Sequence, residues 1–267
     1  MIRWIIRIIR ENIQYLPQTL YIAKADLRRA HMASDFGWFW AIAKPLIYIL
    51  MFYVAISSGF RAGKDIEGTV CPYFIWLASG IVPWQFISDL LVGGTRCFLK
   101  HKDIVTKIKY PISTLPTIAV MSNMFIHLIM IVVLIVIALL MGVKPSVYWL
   151  QLPIYMVLTF IFIYIWVYMT ALMNTLSADI VEFIKTIKTA FFWLSGILFN
   201  IRGKKSFFFK INPISYIAEG YRNTFAYHTW IWEQKHLLMY FCIVLFLMTF
   251  VTFILSRKIE KKMPELL

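Results

Sequence analysis

The 267-residue chain is 61% hydrophobic and 15% charged, and its formal net charge is +14. With a mean hydropathy of +0.74, it lacks the polar residues that a water-soluble domain of this length needs at its surface, which leaves an integral membrane protein. The positive excess fits basic residues that flank spans against anionic headgroups, and no nucleic-acid partner is expected.

In chain order, residues 1–35 read as a cytoplasmic and interfacial region. Arg3, Arg7 and Arg10 in "MIRWIIRIIREN" share one helical face, with Ile2, Ile5, Ile6 and Ile9 mostly on the other, the pattern of a helix lying in the membrane interface. The arginines interrupt the apolar run and no small-residue cleavage site follows, so the segment is not read as a signal peptide. Six apolar stretches follow over 36–59, 72–95, 113–142, 147–176, 184–201 and 237–257, each judged against the roughly 20 residues a spanning helix needs. The fifth is short. A basic tail, 258–267, ends the sequence.

Six spans put both termini on one side of the membrane. Taking that side as cytoplasmic places 18 Lys and Arg inside and 9 outside, in line with the positive-inside rule. Six of the nine fall in one segment, 202–235, which is an exception to the rule.

No GxxxxGK[ST] phosphate loop occurs, and stretches 45–59, 117–142, 150–176 and 238–255 contain no Asp or Glu. His127 is read as the ionisable side chain deepest in a span, making an interhelical hydrogen bond beside Ser122 and Asn123. Asp89 lies nearer a cytoplasmic end, where water or a lysine reaches it. Cys71, Cys97 and Cys242 show no metal or redox spacing. The chain is therefore expected to be non-catalytic and without a cofactor of its own: either a partner powers it or it is no pump.

Two connecting segments stand out. Around 100–110, "HKDIVTKIKYP" can form a short helix with Ile104, Val105 and Ile108 together and Lys102, Lys107 and Lys109 more exposed. It is either a charge anchor or a helix that docks in a groove of a cytoplasmic partner. On the outer side, 206–230 is too aromatic for an ordinary loop; Glu219, Arg222 and Asn223 cluster at helical spacing, and Ile217, Tyr221 and Phe225 recur every four. Short helices dipping into the outer leaflet and a helix resting on headgroups both fit that pattern.

"ADLRRAHMASDFGWFWAIAKPL", "LASGIVPWQFISDLLVGGT", "DIVTKIKYPISTLPT" and "INPISYIAEGYRNTF" together resemble the transmembrane subunits of ABC-2 polysaccharide exporters, in the right order and almost end to end. Within that family "FRAGKDIEGTVCPYFIWL", "GVKPSVYWLQLPIY" and "NPISYIAEGYRNTFAYHTW" look most like the permeases of wall teichoic acid exporters, with O-antigen and capsule permeases as the alternative. A secondary carrier or a non-transporting scaffold are the remaining readings.

The resemblance implies an all-α fold in a homodimer with two separate ATPase subunits, which bind the ATP and Mg, and a polyprenyl-diphosphate-linked glycopolymer as substrate. It makes Lys102, Asp103, Ile104, Val105, Lys107 and Ile108 a coupling helix, with Asp26, Arg28 and Arg29 as a second contact. Phe36, Trp38, Tyr48, Tyr53, Trp76 and Trp84 become candidates for a sugar-lined channel, each also readable as a membrane-interface anchor. Tyr216, Glu219, Tyr221 and Arg222 mark the re-entrant outer segment.

Overall fold

The computed structural model describes residues 1–32, 36–58, 66, 68–107, 110–202, 209, 211–260 and 263; among these the chain is helical, with no β-strand. Of the residues singled out above, Ile108 and Lys109 lie outside the described set, as do the side chains of Val105 and Lys107 and, within the basic segment 202–235, Lys204, Lys205 and Lys210.

Helices α1 (Ile2–Gln14) and α2 (Leu16–Met32) form the N-terminal region. On α1, Ile2, Ile6, Ile9 and Ile13 make an exposed stripe, which only hydrocarbon can cover favourably. The opposite side is pinned to the bundle. Trp4 stacks on Tyr168 with centroids 6.2 Å apart and meets Phe253 edge-on at 5.6 Å. Ser113 donates to Glu11, and Thr117 donates to Asn12.

Helix α3 (Trp38–Ile56) is followed by α4 (Tyr73–Gly93), which continues through a tight turn at Gly94–Arg96 into α5 (Cys97–Lys100). The short α6 (Lys102–Lys107) precedes α7 (Leu115–Leu140), then α8 (Leu152–Asn174) and α9 (Asp179–Trp193). Helix α10 (Pro213–Arg222) runs into a wider turn, Asn223–Tyr227, and α11 (Lys235–Ile259) is last. Prolines begin α7, α8 and α10, where their missing N–H has no helical partner to lose. Asn212 caps α10 by accepting from the Ile214 amide at 3.0 Å.

Among the described residues five helices are long and apolar enough to cross a membrane: Trp38–Ile56, Tyr73–Lys100, Ile112–Leu140, Val147–Asn174 and Ile231–Ile259. The expected span at 184–201 is different. Its helix, α9, has 15 residues and so rises roughly 22 Å, short of a hydrocarbon core of about 30 Å. It runs beside α4, with Phe192 5.3 Å from Trp84, and then breaks into turns around Gly196, whose φ of 69° suits glycine.

The α4 rod is the centre of the bundle: 83% of its apolar stretch is buried, against 11% for α3. It packs on α3, α7, α8, α9 and α10. Its run Ala78, Ser79 and Gly80 is small enough to let neighbours approach closely.

Candidate functional site

At one end of the α4 rod, every residue of α10 is buried, packed against α4, α8 and α11. Its helical spacing puts Glu219 and Arg222 one turn apart, joined at 2.8 Å with both side chains essentially inaccessible. The guanidinium also donates to the Gly196 carbonyl at 2.9 Å, the Trp76 carbonyl at 3.3 Å and the Ile197 carbonyl. Those first and last acceptors belong to the turns where α9 breaks. In a membrane interior each would be costly without a partner, and a five-donor fork serves several at once.

Arg222 further lies 3.5 Å over the Trp76 ring, and a Cβ on Gly80 would come 2.7 Å from its Nη2. Arg202 reaches Glu219 at 3.4 Å and donates to Asn223 and Thr229. Tyr221 meets His127 Nε2 at 2.8 Å, an interhelical bond between α7 and α10 one turn from Asn123. Tyr216 packs 4.8 Å from Phe241. Two of the six basic residues that break the positive-inside pattern, Arg202 and Arg222, are thus occupied inside the protein.

At the other end of α4, Asp26 is buried on α2. Its carboxylate is 2.6 Å from Lys100 Nζ and 3.1 Å from His101 Nε2. Burial alone would raise its pKa, but hydrogen bonds from His101 and Lys100 outweigh that and hold the carboxyl below its ordinary range. His101 Nδ1 turns back to the Cys97 carbonyl at 2.9 Å. Past α6, the Tyr110 hydroxyl is 2.8 Å from Thr19 Oγ1, and its ring lies 5.3 Å from Tyr15. The short α6 is therefore fastened to α2 at both ends.

On α6, Lys102 and Asp103 are exposed, while Ile104 is half-buried against the chain's own core. Arg28 and Arg29 are exposed on α2. Asp26 is paired internally with Lys100 and His101, and Ile104 packs against the chain's own core. Asp26 could not be read as a latch from sequence because its partners stand 74 and 75 positions away.

The six aromatic candidates do not form one wall. Phe36 and Trp38 are exposed, Trp38 lying 5.9 Å from Phe125. Tyr48 and Tyr53 are half-buried, 4.8 Å from Phe52 and 5.1 Å from Phe74 respectively. Trp76 and Trp84 are buried in the chain's interior, and the Trp76 indole N–H donates to the Tyr227 hydroxyl at 2.8 Å. Within one chain these two present no surface to a polymer. What the sequence reading passed over is a polar cleft beside Lys44, Asp89 and Lys188. Its legible signals were Asp89 within an apolar stretch and a lysine next to a helix-interior proline.

The described residues thus form a multi-helix bundle with a fastened short helix at one end of α4 and a buried charged knot at the other. The chain belongs to the ABC-2 type transporter family, whose model matches residues 17–226. It is similar to the O-antigen export system permease protein RfbA of Myxococcus xanthus, 22% identical over 228 residues covering 84% of this chain and 85% of that one. A protein of the same name from Klebsiella pneumoniae is 25% identical over 261 residues, covering 96% and 97%, and another from that organism is 24% identical over the same coverage.

Proposed function

We propose that the chain is the non-catalytic membrane subunit of an ATP-driven exporter of a lipid-linked polysaccharide, acting as a homodimer with two separate ATPase subunits that hold ATP and Mg. The observation that carries this reading is the likeness to relatives named as O-antigen export permeases along almost their whole length. It favours an O-antigen-type polysaccharide. Wall teichoic acid is the second reading, supported by the likeness of "GVKPSVYWLQLPIY" and "NPISYIAEGYRNTFAYHTW" to that subgroup.

The physical task is to move a hydroxylated, charged polymer through about 30 Å of hydrocarbon, which is prohibitive without a protein-lined path. A path between two copies fits α3, the span this chain leaves most open, with Phe36, Trp38, Tyr48 and Tyr53 supplying ring faces to sugar C–H groups. The polyprenyl tail stays in the bilayer. Helix α9 and the turns after it make the sixth crossing, α10 is re-entrant, and both termini are cytoplasmic. Lys102, Asp103, Val105, Lys107 and Ile108 seat α6 in the ATPase, with Arg28 and Arg29 beside it. Asp26 acts through Lys100 and His101 as a positioning residue, so that a push on α6 moves α2 and α4 together.

The test is co-purification with the cognate ATPase. The native chain retains it, and a Val105→Asp, Ile108→Asp variant loses it while still inserting in the membrane. Equal retention by both would remove α6 from the contact. In cells, export of the polymer should fail with the variant.

A further inference from the structure

Where α1 meets the end of α11, the two helices leave a cleft of about 610 Å³ walled by Arg3, Trp4, Arg7, Phe253, Arg257 and Glu260. Helical spacing gathers these groups: Arg3 and Arg7 stand one turn apart on α1, as do Phe253 and Arg257 on α11. Three guanidinium groups therefore face a single carboxylate, and that carboxylate is already engaged. Glu260 meets Arg7 Nη2 at 2.7 Å and accepts from the Tyr168 hydroxyl. Arg3 and Arg257 are exposed, and among the described residues neither has an ion pair. The Trp4 indole N–H is buried without an acceptor.

The surface beside the cleft is apolar on both helices. Along α11, Phe246, Phe250 and Ile254 are exposed and follow one helical face up to Arg257. On α1 the exposed stripe of Ile2, Ile6, Ile9 and Ile13 runs alongside the arginines. A soluble anion would suit the guanidinium groups but leaves both apolar tracks bare. Phosphatidylcholine would cover the tracks, yet its own ammonium cancels the attraction of its phosphate. An amphiphile with a net negative head matches both halves of the surface.

We propose that this cleft is a site for an anionic phospholipid of the phosphatidylglycerol kind. Arg3 and Arg257 hold the phosphodiester, the Trp4 N–H is a further donor, and one acyl chain lies along Phe246, Phe250 and Ile254. The lipid ties α1 to α11 beside the Arg7–Glu260 pair. Helix α1 is in turn fastened to the start of α7, where Ser113 donates to Glu11 and Thr117 donates to Asn12. Occupancy therefore steadies the point at which the chain leaves α6 and enters α7. The site does not depend on what the chain exports.

The chain is purified with its cognate ATPase, and native mass spectrometry counts the lipid retained as phosphatidylglycerol is titrated in. One saturable phosphatidylglycerol per copy of this chain is expected, with weaker retention of phosphatidylcholine. Arg3→Gln with Arg257→Gln should weaken binding about tenfold or more, since each guanidinium near an anionic head is worth about fivefold. Arg10→Gln with Lys258→Gln removes the same charge from exposed positions on the same two helices, outside the cleft, and should leave the affinity nearly unchanged. Arg3→Lys with Arg257→Lys keeps the charge and loses the fork, so it should recover part of the binding, which a folding defect would not. Backbone amide exchange over 113–117 should slow as the lipid binds.

Equal losses in the two Gln pairs would reduce the effect to diffuse attraction between a basic surface and an acidic lipid, and would overturn the site. So would equal retention of phosphatidylcholine. Displacement of the lipid by an equal concentration of inorganic phosphate would make the occupant a soluble anion instead. Unchanged exchange over 113–117 would sever the proposed tie to α7.

Discussion

The two ends of α4 hold charge in different ways. At the Trp76 end the Glu219–Arg222 pair is inaccessible on both sides; Arg222 donates further to backbone carbonyls of other elements, and Glu219 also meets Arg202 at 3.4 Å. At the Lys100 end Asp26 is buried, but its partner Lys100 is half exposed. The charged knot is a closed structural joint, whereas the latch can trade partners for water, because its lysine already touches solvent.

The sharpest way to break this contrast is Arg222→Met, which leaves the buried Glu219 with only Arg202 at 3.4 Å and takes the donor from three carbonyls. Removal of one member of a buried pair costs about 3–5 kcal/mol, so the thermal midpoint in nanodiscs should fall steeply. Adding Glu219→Gln should recover part of the loss, since the stranded charge is then gone. Gly80→Ala comes next: the new methyl meets the Arg222 guanidinium, and overpacking of this kind costs about 2 kcal/mol.

Asp26→Asn should cost less, about 1.5 kcal/mol, because a charge-assisted bond to a solvent-touching lysine is partly screened. Its pH signature is specific. The carboxyl's pKa is depressed by folding, so the latch contributes fully above the ordinary carboxylate range and is lost as pH falls through the depressed value. The stability gap between the native chain and Asp26→Asn should stay level from pH 8 to 5 and close only in stronger acid. A gap that closed near pH 6 would contradict this. The smallest effect belongs to Glu182→Gln, which removes the exposed pair with Lys185 at 2.6 Å and should change stability by less than about 0.5 kcal/mol.

Hydrophobic length made five spans easy to read, those around α3, α4, α7, α8 and α11, and amphipathic spacing revealed α1. The fifth stretch is not one continuous helix, and composition does not show this because it reports apolarity and not helix continuity: the Gly196 carbonyl at the break is taken by Arg222, which lies 26 positions later. The aromatic candidates show the same limit. Trp76 and Tyr53 look alike in sequence, yet one is locked under a guanidinium and the other is half-buried on α3. Residue type announced that aromatics and charges mattered; only packing decided which were interior. The polar cleft was missed for a related reason, since Lys44, Asp89 and Lys188 come from three separate helices.

One further consequence concerns α4 with α5. From Trp76, gripped at the charged knot, to Lys100, gripped at the Asp26 latch, the run is helical throughout apart from the tight turn at Gly94–Arg96. Taken as one rod, those 24 steps measure roughly 36 Å. A tilt of about 5° at the Lys100 grip would then carry the Trp76 grip sideways by roughly 3 Å, the width of a hydrogen bond, on that same helical length. The rod is a lever arm whose far end is already bolted to the broken end of α9, so a small displacement at the latch would arrive at the knot as a choice between keeping and severing the Arg222 contacts.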